Sequence, residues 1–107
     1  MNRLPLLILA LAMFAMTGSV ARSQSLQRIT VYVQNPTSGA INFSYRKGGD
    51  EWVKHKIQSG YTMTMTGIAP HLINFDNARG KRVQYSLRSG TTNYFQWSGG
   101  SLDLKHR

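Results

Sequence analysis

Several basic side chains fall on the polar positions of short alternating stretches, and one of these stretches also carries a tryptophan. Residues two apart lie on the same face of a β-strand, so their charges can line up on the outside of a sheet. A sheet face that combines cations with an aromatic ring can hold an anionic polymer through charge attraction and ring stacking. The candidate binding residues for such a face are Trp52, Lys54, Lys56, Arg82 and Arg88, with Arg46 at its margin.

The overall charge agrees with this hypothesis. The chain has 13 Lys and Arg residues against 4 Asp and Glu, which gives a formal net charge of +9. The alternative is that the cations only maintain solubility and discourage sheet edges from pairing between molecules. The parity of a residue, meaning its odd or even position along a strand, shows which face it lies on. It does not show whether charges on different strands cluster in space, so both interpretations stay open.

Two methionines suggest a different chemistry. Met63 and Met65 are two apart, hence on one face of a strand, and thioether ligands suit cuprous or silver ions. The Met-Thr-Met element, with Trp52 and His55 before it, resembles that of small exported copper chaperones with a β-barrel fold, which pair two such methionines with a histidine and a tryptophan. In those chaperones the histidine precedes the tryptophan, whereas here Trp52 comes first. The resemblance implies a soft-metal site made of Met63, Met65 and His55, and the alternative is that the methionines fill a core.

Catalytic signatures are missing from the sequence. It has no nucleophile elbow, no phosphate loop and no histidine pair at metal-binding spacing. Glu51, His71 and Arg82 could act as acid, base and phosphate-binding cation in a small ribonuclease, but nothing in their spacing selects them over other residues. We therefore predict a protein that is not an enzyme and that needs no cofactor.

The first 23 residues have the layout of a secretory signal peptide: a short basic head, an apolar run over residues 4–16 and a small-residue exit. The apolar run is too short for a membrane-spanning helix, although an uncleaved N-terminal anchor is an alternative. Loss of residues 1–23 would remove Arg3 and Arg22 and lower the net charge from +9 to +7. A small exported domain without cysteine is more typical of a bacterial envelope than of an animal fluid. We therefore predict a secreted or periplasmic protein.

Export narrows the range of partners. It argues against nucleic acid as the natural ligand and favours an acidic polysaccharide, lipid headgroups or an envelope protein. A third interpretation is a structural subunit of an envelope assembly. The sequence does not predict the oligomeric state.

The remaining residues, 24–107, are predicted to form one all-β domain. Apolar and polar residues alternate in short stretches separated by glycine-bearing turns, which indicates seven or eight strands. The connections are too short for crossovers, so we expect a small antiparallel β-sandwich or a partly open barrel. The stretches are residues 24–34, 40–46, 51–57, 61–66, 71–76, 101–105 and, as a β-hairpin, 81–97.

In residues 51–57, the alternation places a large aromatic residue on the same face as two lysines. Lys54 and Lys56 cannot lie unpaired in a core, so Val53, His55 and Ile57 should face inward. Trp52 is then exposed, unless a bulge turns it inward.

Overall fold

The computed structural model describes residues 27–107, which form eight β-strands and no helix. The strands are β1 (Arg28–Gln34), β2 (Ile41–Lys47), β3 (Val53–Ile57), β4 (Thr62–Ile68), β5 (His71–Asp76), β6 (Arg82–Leu87), β7 (Thr92–Ser98) and β8 (Ser101–His106). They form two sheets with the strand orders β4-β1-β7-β8, here sheet A, and β3-β2-β5-β6, here sheet B. The predicted all-β sandwich is confirmed. The predicted signal peptide lies outside the described residues.

The alternation in the sequence places apolar side chains between the two sheets. Phe95 of sheet A packs against Phe43 and Phe75 of sheet B, with ring centroids 5.8 Å and 5.2 Å apart. These rings and the neighbouring aliphatic side chains form the core, of which Val31, Val33, Ile73, Phe75 and Phe95 are completely buried. Within residues 27–107, no helix is long and apolar enough to cross a membrane.

The predicted hairpin over residues 81–97 is wrong, because β6 belongs to sheet B and β7 to sheet A. The connection between them is hydrogen-bonded to β1 instead: the Gly90 amide donates to the Thr30 carbonyl (2.7 Å), and the Tyr32 amide donates to the Thr91 carbonyl (3.0 Å). Gly90 has φ 78°, which glycine adopts without steric cost. This connection places β7 next to β1, on the side of β1 that is not paired with β4.

A consequence is that β7 runs parallel to β1, with Tyr32 opposite Thr92. The expectation of a purely antiparallel sandwich is therefore wrong for this pair. It considered only strands that follow one another in the chain, whereas β1 and β7 are far apart in sequence and need no short crossover. The other paired strands are antiparallel.

A buried polar contact joins the sheets. The ring of His71 is completely buried, with Nε2 3.1 Å from the Gly67 carbonyl of β4 and Nδ1 2.7 Å from the Tyr45 hydroxyl. A carbonyl can only accept, so Nε2 carries the proton and the Tyr45 hydroxyl donates to Nδ1. A Cβ at Gly67 would lie 2.7 Å from Cδ of Lys47, so a larger residue there would displace the Lys47 side chain.

The third strand follows its predicted parity only in part. Ile57 is buried and His55 is half-buried, but Val53 is 52 % exposed. Since β3 is an edge strand, its first residue is not covered by the opposite sheet. Trp52, directly before β3, is 38 % exposed, as the pattern without an inward-turning bulge predicts.

Candidate anion-binding face on sheet B

Most outward positions of sheet B carry basic or neutral polar side chains; Leu72 and Asp76 are the exceptions. We call this surface the cationic face. Asp76 is its only acid within the described strands. The residues of the cationic face are Lys54 and Lys56 on β3, Asn42, Ser44 and Arg46 on β2, Leu72, Asn74 and Asp76 on β5, and Arg82, Gln84 and Ser86 on β6.

The strand order separates the predicted cations more than their parity suggests. β3 and β6 lie at opposite edges of sheet B, with β2 and β5 between them. Lys54 is opposite Ser44, Ser44 is opposite Asn74, and Asn74 is opposite Gln84. Lys54 and Arg82 are therefore on the same face but not on neighbouring strands.

The side chain of Arg82 crosses much of this distance. Its Nη2 lies 3.0 Å from Oδ1 of Asn74 and 3.5 Å from Oγ of Ser44, so the guanidinium lies over β5 and reaches β2. Ser44 in turn is the cross-strand neighbour of Lys54. The guanidinium of Arg82 is thus directed towards the strand next to the lysines.

A gap in sheet B lies below this guanidinium. β2 and β5 pair only from Ser44 to Lys47, whereas the β2–β3 pairing continues to Ile41 and the β5–β6 pairing continues to Arg82. The β2–β3 hairpin and the β5–β6 hairpin therefore diverge at this end of the sheet. A cleft of about 300 Å³, here the inter-hairpin cleft, is lined by Asn42, Ser44, Lys54, His55, Asp76 and Arg82.

Little negative charge neutralises this face. Among residues 27–107, the one ion pair joins Lys105 and Asp103, at 3.7 Å, and both belong to sheet A. Asp76 lines the inter-hairpin cleft opposite Arg82 and offsets part of its positive charge, but within residues 27–107 the two form no ion pair, and Oδ1 of Asp76 accepts a hydrogen bond from the Ala78 amide at 2.8 Å. The cations of sheet B remain available to an external anion.

Burial, with nearby Lys47 as a second cause, lowers the pKa of His55 below its usual value. His55 is therefore neutral at pH 7. The positive charge at the inter-hairpin cleft comes from Lys54 and Arg82.

The remaining candidates occupy different places. Arg46 is half-buried on the cationic face opposite Leu72, and its Nε is enclosed without a hydrogen-bond partner. Trp52 is at the same edge of the sheet as Lys54, just before β3. Arg88 follows β6 and lines another cleft, on the side of the sandwich where β6 and β8 meet.

The two methionines lie on the inner face of sheet A, which packs against the core. Met65 is opposite Val31 and buried, and Met63 is opposite Val33 and packs against the core. His55 belongs to sheet B, where its ring stacks on Phe43 at 5.3 Å. Core packing accounts for both methionines. The soft-metal site of Met63, Met65 and His55 stays a prediction.

Other potential ligands do not gather either. Within residues 27–107, no group of three or more His, Cys, Asp or Glu residues is placed to hold a metal ion.

The polar residues around the guanidinium of Arg82 were not among the sequence candidates. Asn42, Ser44 and Asn74 become part of the site through strand register and through the gap between the two hairpins. The only sequence signal for a role of these three residues in the site is the alternation, which assigns each of them to an outer face.

Comparison with protein-family models, with curated proteins and with solved structures found no match to this chain. The function proposed below therefore rests on the geometry of the described residues.

Proposed function

We propose that this protein is an exported, non-enzymatic binding module that holds an acidic polysaccharide on its cationic face. The observation that carries the proposal is the position of Arg82. Its guanidinium is held by Asn74 and Ser44 over the inter-hairpin cleft, which Lys54 also lines. A cation that is already ordered loses less conformational freedom when it binds an anion.

The main alternative is that the charges only protect the protein from aggregation. Lys54 and Lys56 lie on the edge strand β3, where lysines commonly prevent pairing with another chain. This accounts for the two lysines but not for the orientation of Arg82 across two strands. Nor does it account for the amide and hydroxyl groups of Asn42, Ser44 and Asn74 beside it.

The chemistry of this face favours a polysaccharide among the anionic polymers. Lysine and arginine bind carboxylate or sulfate groups, and arginine can do so through two parallel hydrogen bonds. Neighbouring asparagine side chains both donate and accept, as sugar hydroxyl groups require. The exposed Trp52 at the same edge offers a ring on which a sugar can pack.

Binding of the purified protein to heparin, used as a model acidic polysaccharide, tests the proposal. If Lys54, Lys56 and Arg82 release counterions as cations do on DNA, affinity should fall roughly fortyfold between about 50 and 200 mM salt. The measurement is isothermal titration at several salt concentrations, with neutral dextran and anionic lipid vesicles as comparisons.

The proposal predicts tight binding to heparin, none to dextran and weaker binding to vesicles. Salt-independent binding or equal affinity for dextran would contradict a charge-based site. Preference for the vesicles would identify lipid headgroups as the ligand instead.

A further inference from the structure

A second cleft lies on the side of the sandwich where the edge strands β6 and β8 face each other. It has a volume of about 260 Å³ and is enclosed by the ends of β6 and β8 and by the start of β7. We call it the edge cleft. It lies on a different side from the inter-hairpin cleft, and the two have no lining residue in common. Its volume lies just below the range of ordinary ligand pockets, which leaves room for a single small ring.

Three basic side chains line the edge cleft: Arg88 after β6, and Lys105 and His106 on β8. Arg88 and His106 are exposed, and the Lys105 side chain is 50 % exposed. None of the four acids of the chain lines this cleft, although Lys105 forms an ion pair with Asp103 beside it, at 3.7 Å, and among residues 27–107 only Arg88 is a fully charged side chain outside any ion pair there. The site is therefore suited to an anion.

The wall of the edge cleft is partly apolar. Leu87 and Leu104 line it and are almost completely buried, at 7 % and 8 % exposure. The ring of Tyr85 lies beside them and is 36 % exposed. Aliphatic and aromatic surface beside cations suits a ligand that has C–H groups as well as negative charge.

A buried amide provides an acceptor at the same wall. Asn93 is 4 % exposed, and its Nδ2 donates to the Tyr32 carbonyl (3.3 Å) and to Oγ1 of Thr91 (3.1 Å). Among residues 27–107, no donor is bonded to its Oδ1. Such an oxygen can accept a hydrogen bond from a ligand hydroxyl group.

The position of Tyr85 is fixed by a contact outside the cleft. Its hydroxyl donates to Oδ1 of Asp103 at 2.6 Å, which ties β6 of sheet B to β8 of sheet A. Burial alone would raise the pKa of Asp103, but the hydrogen bonds from Tyr85 and the Leu104 amide, with Lys105 nearby, hold this pKa below its usual value. Asp103 therefore stays charged and keeps the Tyr85 ring at the cleft.

From this arrangement we infer that the edge cleft binds one hexuronic acid, a sugar ring with a single carboxylate. Arg88 and Lys105 contact the carboxylate, Oδ1 of Asn93 accepts from a ring hydroxyl, and the C–H face packs on Leu87 and Tyr85. Arg88 and Lys105 do not line the inter-hairpin cleft, so binding at the edge cleft does not depend on the cationic face.

Titration of the purified protein with galacturonate, followed by amide chemical shifts in NMR, tests the inference. Galacturonate should give saturable shifts at Leu87, Asn93 and Leu104. Galactose, which lacks the carboxylate, and inorganic phosphate, which lacks the ring, should not saturate at the same concentrations. Arg88→Gln and Lys105→Gln should each weaken galacturonate binding about tenfold, as loss of one hydrogen bond to a charged group does.

Arg28→Gln is the matched control, since it removes an exposed cation from β1 of sheet A, outside both clefts, and should leave galacturonate binding unchanged. Equal binding of galactose, equal binding of phosphate, or no saturation with galacturonate would each overturn the inference. Unchanged galacturonate affinity in Arg88→Gln and Lys105→Gln would do so as well. Because heparin binding reports on the cationic face, failure there and failure here are separate results.

Discussion

Replacing Lys54 and Arg82 together by glutamine should weaken heparin binding by about thirtyfold, if each cation contributes about 1 kcal/mol near an anionic surface. Both residues line the inter-hairpin cleft, and Arg82 is already held across it. Both side chains are exposed, so the fold should tolerate the change. The slope of log affinity against log salt concentration should also become shallower by about two, since each lost ionic contact lowers it by about one.

The control removes two arginines from elsewhere. Arg28 lies on β1 of sheet A, and Arg107 stacks on the Tyr94 ring of β7 at 4.7 Å. Arg28→Gln with Arg107→Gln changes the net charge by the same amount but leaves the cationic face intact. We expect less than about a threefold loss of affinity. Equal losses in the two variants would show that heparin responds only to net charge.

Replacing His71 by alanine should lower the free energy of unfolding by about 4 kcal/mol. The change opens a cavity at a completely buried position, and it leaves the Tyr45 hydroxyl and the Gly67 carbonyl without their partner. Urea unfolding followed by circular dichroism measures the difference. His106→Ala, at an exposed position, is the control and should change stability by less than about 0.5 kcal/mol. A His71→Ala variant as stable as the wild type would contradict the buried contact between the sheets.

The same histidine makes stability depend on pH. Burial lowers the pKa of His71, the Gly67 carbonyl partly offsets this, and Lys47 lowers it further. The unfolded chain, with a histidine pKa near 6.5, therefore binds the proton first as the pH falls. The stabilisation is complete above this value and declines below it.

His71→Phe, which keeps a ring at this position, should show a weaker decline in stability below pH 6.5 than the wild type. Part of the decline should persist, since the pKa of His55 is lowered as well. An unchanged decline in His71→Phe would assign the effect to other groups.

Alternation predicts single strands well in this chain. The strand at residues 71–76 has the predicted bounds, and His71, Ile73 and Phe75 are buried as their parity requires. Within one strand, alternate residues face the core and the solvent. The pattern that predicts a strand is therefore contained in its own residues. Val53 departs from its parity because the burial of an edge position depends on the opposite sheet.

Pairing between distant strands is not local and was not predicted. The residues around Ser89 and Gly90 fit a hairpin turn as well as a passage between sheets. The free edge of β1, more than fifty residues earlier, determines which one forms. The candidate site has the same limit. The sequence places Lys54 and Arg82 on outer faces, but the gap beneath Arg82 arises where two hairpins diverge.

NMR mapping of a heparin hexasaccharide on the wild-type protein tests most directly whether the cationic face binds an acidic polysaccharide. We expect the largest shifts around the inter-hairpin cleft, at Asn42, Ser44, Lys54 and Arg82, with the amides on the outer face of sheet A almost unchanged. Shifts spread evenly over both sheets, or concentrated on sheet A, would contradict a binding site on sheet B.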